Sequence, residues 1–260
     1  MKVRIGILCL AATWMAAAQA GTVVHLDRRS LPDGQAHPQT VIYAQSGQFR
    51  MDTLDAKGHV RDFVLVRDGN IWQVDVEKRS FYKFDKAALA GQQSQMQDRM
   101  QAMLQNLPPE RRAMMEERMK GMMQRMQQTS MTMTDTGRGD RAGSWSCKVW
   151  QLLRNGKAVS ESCIASRGSL TGGDELVDAT HKASAVATDV LSSLPATRAA
   201  AQQFVLYGKS DGFPVRTRTL SGGRAESEDI VTSIERQSLP ADKFAIPKGF
   251  TQTTLGGSDE

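Results

Sequence analysis

From Thr22 onward, apolar and polar residues alternate with the period of two that marks half-buried strands. Thr22 to Arg28 and Gln39 to Gln45 alternate or run apolar, Gln48 to Asp55 sets Phe49, Met51 and Thr53 on one side, and Val60 to Val66 leads into Asp68-Gly69. That dipeptide is a strong hairpin signal, because tight turns between strands need positive φ. Asn70 to Val76 and Ser80 to Phe84 continue the meander through Glu77-Lys78. Residues 85–128 break the pattern. They are rich in Ala, Gln, Met, Arg and Glu, all good helix formers, and Pro108-Pro109 divides them into two antiparallel helices. Strands resume at Ser130 to Asp135 and in a hairpin of Trp145 to Leu153 with Val159 to Ala165. Past the Gly-rich Gly168 to Gly173, a helix runs from near Asp174 towards Leu194, where Pro195 interrupts it. Pro214 to Leu220 and Glu226 to Arg236 form a last hairpin across Ser221-Gly222-Gly223, and Thr251 to Glu260 reads as a loose polar tail.

Methionine is concentrated in and just after the helical segment: eleven of the fourteen lie between Met96 and Met133. Met96, Met100, Met103, Leu104 and Leu107 stand at i, i+4, i+7, i+8 and i+11, one face of a 3.6-residue period. Met115, Met119, Met122, Met123 and Met126 repeat that spacing, while Arg111, Arg112, Glu116, Glu117, Arg118, Lys120 and Arg125 take the other faces. A thioether surface can mould to varied apolar partners, supply soft ligands to Cu(I), be consumed by oxidants, or simply pack as core. On the apolar-ligand reading, Met96, Met100, Met103, Met115, Met119, Met122 and Met126 form a lid. Trp72, with Phe63, Leu65 and Ile71 as inward strand residues, then lines the space beneath.

Composition narrows the setting. Lys2 and Arg4, the short apolar run Ile5 to Ala18 and the small-x-small site Ala18-Gln19-Ala20 predict a cleaved signal peptide over 1–20, hence export to the periplasm. Cys9 sits inside the apolar run, which argues against lipid modification at the cleavage point. No later stretch approaches transmembrane length. Residues 21–252 are then one domain with a helical insert at 85–128, followed by a flexible tail at 253–260. Without the leader, 31 basic residues face 28 acidic ones, a balance of +3 that is too mild to argue for nucleic acid.

Two cysteines remain, Cys147 and Cys163, and an even count in an oxidising compartment favours a disulfide. A three-residue loop Arg154-Asn155-Gly156 sets them directly opposite, whereas a two-residue Asn-Gly turn puts them on opposite faces. The bridge therefore predicts the three-residue loop. His25, His37, His59 and His181 are dispersed, no serine sits in Gly-x-Ser-x-Gly, and no Gly-rich stretch ends in Gly-Lys-Ser/Thr. Neither an enzyme nor a cofactor or metal is signalled.

Asp68-Gly69-Asn70-Ile71-Trp72-Gln73-Val74-Asp75, followed by Lys78-Arg79-Ser80-Phe81-Tyr82, resembles the hairpin of the LolA-like superfamily of periplasmic lipoprotein carriers. The closer likeness is to an uncharacterised branch, a domain of unknown function with a Met-rich helical insert like Leu107 to Met119. That branch also ends like Gly212-Phe213-Pro214-Val215 and Phe244-Ala245-Ile246-Pro247-Lys248-Gly249-Phe250. The resemblance implies an α+β fold in which a curved, incompletely closed antiparallel β-sheet, the LolA-like half-barrel, is covered by amphipathic helices. In the carriers such a cavity receives acyl chains. It thus implies a lipid or a lipidated protein as partner.

Overall fold

The computed structural model describes residues 19–127, 129–193, 208 and 210–254. The expected leader lies outside them except for Gln19 and Ala20, which already belong to the first strand, and so do tail residues 255–260.

Six strands come first: β1 (Gln19–Ser30), β2 (His37–Gln45), β3 (Gln48–Leu54), β4 (Val60–Arg67), β5 (Asn70–Asp75) and β6 (Ser80–Phe84). Two helices follow, α1 (Lys86–Gln105) and α2 (Pro109–Gln127). Then come β7 (Met131–Ala142), β8 (Trp145–Arg154), β9 (Lys157–Ser166), the helix α3 (Gly173–Leu191), β10 (Gly212–Ser221), β11 (Arg224–Leu239) and β12 (Thr251–Gln252). All strands join one sheet in the order β12-β6-β5-β4-β3-β2-β1-β11-β10-β9-β8-β7. The sheet is open, its two ends being unpaired with each other. Every neighbouring pair is antiparallel except β12 with β6. The chain thus makes two meanders that meet at β1 and β11, where Val24 pairs with Ile234.

The expected strands and helices are present, with two differences of detail. Thr251, expected in a loose tail, donates its backbone N–H to Arg79 O at 3.0 Å, and Thr253 donates to Phe81 O at 2.8 Å. The chain is delivered there because Ile246 and Phe250 pack on the sheet just upstream.

The cysteine hairpin also differs. Asn155 and Gly156 have φ of 50° and 76°, and Arg154 pairs with Lys157, so the turn has two residues. That turn alone would put the cysteines on opposite faces. A bulge corrects it: Leu153 pairs with Ala158 but Leu152 with Ser160, so the register slips by one residue at Val159. Val149 then stands opposite Cys163, with Cys147 two residues along on the same face. Their Cα atoms are 5.3 Å apart, and the disulfide forms diagonally.

Alternation gives the first meander two apolar faces, each covered by a different element. On one, α3 lies across the sheet. Its Leu176, Val177 and Ala179 are fully buried among Val24, Ile42, Ala44, Phe213, Val215 and Val231. Asp174 and Glu175 occupy its first turn, where the helix dipole favours them. On the other face Val23, Val41, Phe63, Leu65 and Val74 pack under Leu239 and Phe244 of the C-terminal segment. Arg50 stacks over the Phe63 ring at 3.6 Å and donates to Lys243 O at 2.9 Å, while Arg67 donates to Phe244 O at 2.5 Å, fastening that segment to the sheet.

The α1–α2 pair connects the sheet's far ends, since β6 lies beside one edge strand and β7 is the other edge. Asp85 caps α1 by accepting from Ala88 N at 2.9 Å. Leu89 anchors the same end in a cluster with Val66, Ile71, Ala187, Val190 and Leu191. At the turn, Pro109 opens α2, where its missing N–H costs nothing, and Arg112 donates to Leu104 O at 3.0 Å.

Candidate functional site

Between the sheet and α3 lies an open-mouthed cavity of about 590 Å³, within the range of small-molecule sites. Three registered rows run along its sheet wall. Thr40 and Thr53 line it from one row, which Asp62 and Asp75 continue beyond the lining; Ile42, Met51, Val64, Gln73 and Tyr82 line it from the next; and Phe49, Val66, Ile71 and Phe84 line it from the third, which begins at Ala44. Polarity therefore falls along the strands, from hydroxyls at one end to a fully apolar row at the other. The α3 wall is Thr180, Ala183, Ser184, Ala187 and Leu191, at i, i+3, i+4, i+7 and i+11. Small residues at the middle positions leave the space open, and the Leu89 cluster closes the apolar end.

The polar end carries a fixed charge pair. Arg28 donates from Nε and Nη2 to the two carboxylate oxygens of Asp229 at 2.8 and 2.9 Å, and these bonds keep its guanidinium still more firmly protonated than usual. Gln73 Nε2 reaches Asp62 Oδ1 at 3.4 Å. Burial, and then the Asp62 carboxylate, push the Tyr82 hydroxyl above its ordinary pKa. The arrangement suits a molecule with an apolar body and a hydrogen-bonding head. Among the described residues, no group of three or more His, Cys, Asp or Glu side chains could hold a metal ion.

Some predicted site residues lie elsewhere. Ile71 lines the cavity, but Phe63, Leu65 and Trp72 sit on the opposite face, Trp72 with Arg67 5.6 Å from its ring centroid. Ile71 and Trp72 are neighbours on one strand and so cannot share a face. None of the insert's methionines lines the cavity; the lining methionine is Met51. Met96, Met103, Met115 and Met122 are exposed, Met96 at 62% and Met122 at 56%, while Met100 and Met119 are half-buried. The Met126 side chain is outside the described residues. Cys147 and Cys163 are bridged inside the cluster under the first half of α3, away from the cavity lining. The cover over the sheet is α3, which the sequence shows as an amphipathic helix but whose partner face only the three-dimensional path reveals.

No protein-family model matches the chain, and no curated protein matches it. Among solved structures it is similar to the crystal structure of an uncharacterized conserved protein from Thermus thermophilus. That likeness has 11% identity and a TM-score of 0.43 over 90% of this chain and 89% of the other.

Proposed function

We propose that this protein is an exported, non-enzymatic LolA-like protein of the periplasm whose cavity takes an acyl chain, either of a free lipid or of a lipidated partner. The observation that carries the reading is the polarity gradient along the sheet wall: Phe49, Val66, Ile71 and Phe84 would hold the chain, and Gln73, Tyr82 and Arg28 its head. An open sheet with one helix laid over its cavity is compatible with the half-barrel that the sequence resemblance implies. Neither a bound metal nor a covalent step is needed.

The test is titration of the exported chain with a fluorescent fatty-acyl probe, beside native mass spectrometry of protein purified from the periplasm. Ala183→Phe would fill the middle of the cavity from α3. Probe binding that this substitution abolishes, with unchanged circular dichroism, is the expected result. Absent binding, or binding indifferent to Ala183→Phe, overturns the reading.

A second reading rests on the insert. Exposed thioethers such as Met96 and Met122 are accessible to oxidants and to Cu(I). Submicromolar Cu(I) binding without probe binding would favour it.

A further inference from the structure

The insert contributes no described residue to the cavity lining. Leu89 is the only buried residue of α1, and no described residue of α2 is buried. Each methionine stripe is divided lengthwise. On α1, Met100 and Leu104 are half-buried while Met96 and Met103 are exposed. On α2, Met119 and Arg112 are half-buried while Met114, Met115 and Met122 are exposed.

Taking the half-buried edges as the sides that the two helices turn to each other, 100° per residue puts Met96 and Met103 on α1, and Met115 and Met122 on α2, about 60–70° to the same side in sequence sense, while Met114 falls on the far side of α2 beside Glu110. In an antiparallel pair these two offsets point the same way, so Met96, Met103, Met115 and Met122 form one face.

Charge flanks that face. Arg99 lies next to the exposed edge on α1, and Arg111 and Arg118, seven residues apart, run along it on α2; all three are exposed. Glu110, Glu116 and Glu117 fall on the far side of α2 by the same count. Residues 86–127 hold seven basic and four acidic residues. The rest of 21–260 holds 24 of each, so the whole positive excess resides in this hairpin.

We propose that the methionine face of the α1–α2 hairpin docks on an anionic phospholipid bilayer, its thioethers at the headgroup boundary and Arg99, Arg111 and Arg118 on the phosphates. Apolar residues bordered by arginines that reach up to headgroups are the composition of an interfacial helix. Among the described residues no helix is long and apolar enough to cross a membrane, which fits lying on a bilayer rather than spanning it. The hairpin's root also matters. Leu89 packs with Ile71 and Leu191, both in the cavity wall, so docking brings the apolar end of the cavity towards the lipid. The docking itself stands whichever ligand fills the cavity.

The test is co-sedimentation of the exported chain with vesicles of phosphatidylcholine alone and of phosphatidylcholine mixed with phosphatidylglycerol, at low and high salt. Binding to the mixed vesicles only, weakened by salt, is expected. Arg111→Gln with Arg118→Gln should lower it about 25-fold, at about fivefold per arginine. Met96→Gln with Met122→Gln should also weaken it; all four sites are exposed, so circular dichroism should not change. Failure to bind mixed vesicles, equal binding to both kinds, or binding indifferent to both double substitutions overturns the proposal, the first leaving the face to a protein. The cavity is tested apart from this: Ala183→Phe should leave vesicle binding intact, and the arginine pair should leave probe binding intact.

Discussion

Arg28 grips Asp229 through two parallel hydrogen bonds, 2.8 and 2.9 Å long, at the polar end of the cavity. The pair is partly exposed, where such bridges contribute about 0–1 kcal/mol. Asp229→Asn should therefore move the melting temperature little while freeing the guanidinium. A freed Arg28 should favour a fatty acid over its methyl ester by about tenfold, as one charge-assisted bond contributes. Competition against the acyl probe reads this, and an unchanged preference would show that the head lies away from Arg28.

Leu176 on α3 is fully buried, whereas Met122 on α2 is 56% exposed. Leu176→Ala should cost about 2–5 kcal/mol by emptying a core position. Met122→Glu should cost no more than about 0.5 kcal/mol, because the new charge stays in water. Comparing denaturant midpoints settles it; similar losses in both would mean that the insert is packed after all.

Glu228, 1% exposed, is held by Arg29 and Arg218, each at 2.7 Å, with Arg216 at 3.6 Å. Burial alone would raise its pKa, but hydrogen bonds from Arg218 and Arg29 prevail and hold it below the ordinary 4.5. A depressed carboxylate stabilises the fold above its unfolded pKa and loses that contribution as pH falls through the folded value. Glu228→Gln should thus cost about 3 kcal/mol at neutral pH by stranding the arginines. The gap to wild type should stay constant down to about pH 5 and narrow below 4.5. A gap that widens in acid would contradict the assigned sign.

Cys147 and Cys163, sixteen residues apart, close a short loop. Replacing both by alanine should cost about 3 kcal/mol, the loop entropy returned to the unfolded chain. Thermal melts with and without reductant check this. Reductant that lowers the wild-type midpoint but leaves the double variant unmoved is the expected pattern.

The strands are legible in the sequence because half-buried strands write their period into Phe49, Met51 and Thr53, and because Asp68-Gly69 and Asn155-Gly156 suit positive φ. Which face meets which cover is not. Phe63 and Val64 are equally apolar, and only the routes of α3 and of residues 240–250, distant in sequence, send one under the C-terminal segment and the other to the cavity. The bulge at Val159 has no residue-type signature, so the cysteine count predicts the bridge but with the wrong turn. The methionine stripes mark helix faces, yet a stripe reports a surface that prefers cover without saying what supplies it.

Strand order here runs against chain order. β1 and β11, far apart in the chain, are paired near the centre of the sheet, while the middle of the chain supplies one margin, β7, and the strand β6 beside the other, whose edge is β12. Gln19 and Leu239 are partners across some 220 residues of sequence. Hairpins such as β4–β5 and β8–β9 can therefore zip up locally and early, but the seam between the two meanders must wait until nearly the whole polypeptide has been delivered. Such long-range closure is slow, and until it happens β1 and β11 are adhesive edges. Until that seam closes, the complete chain is held as two half-sheets, each exposing the strand that belongs to the other.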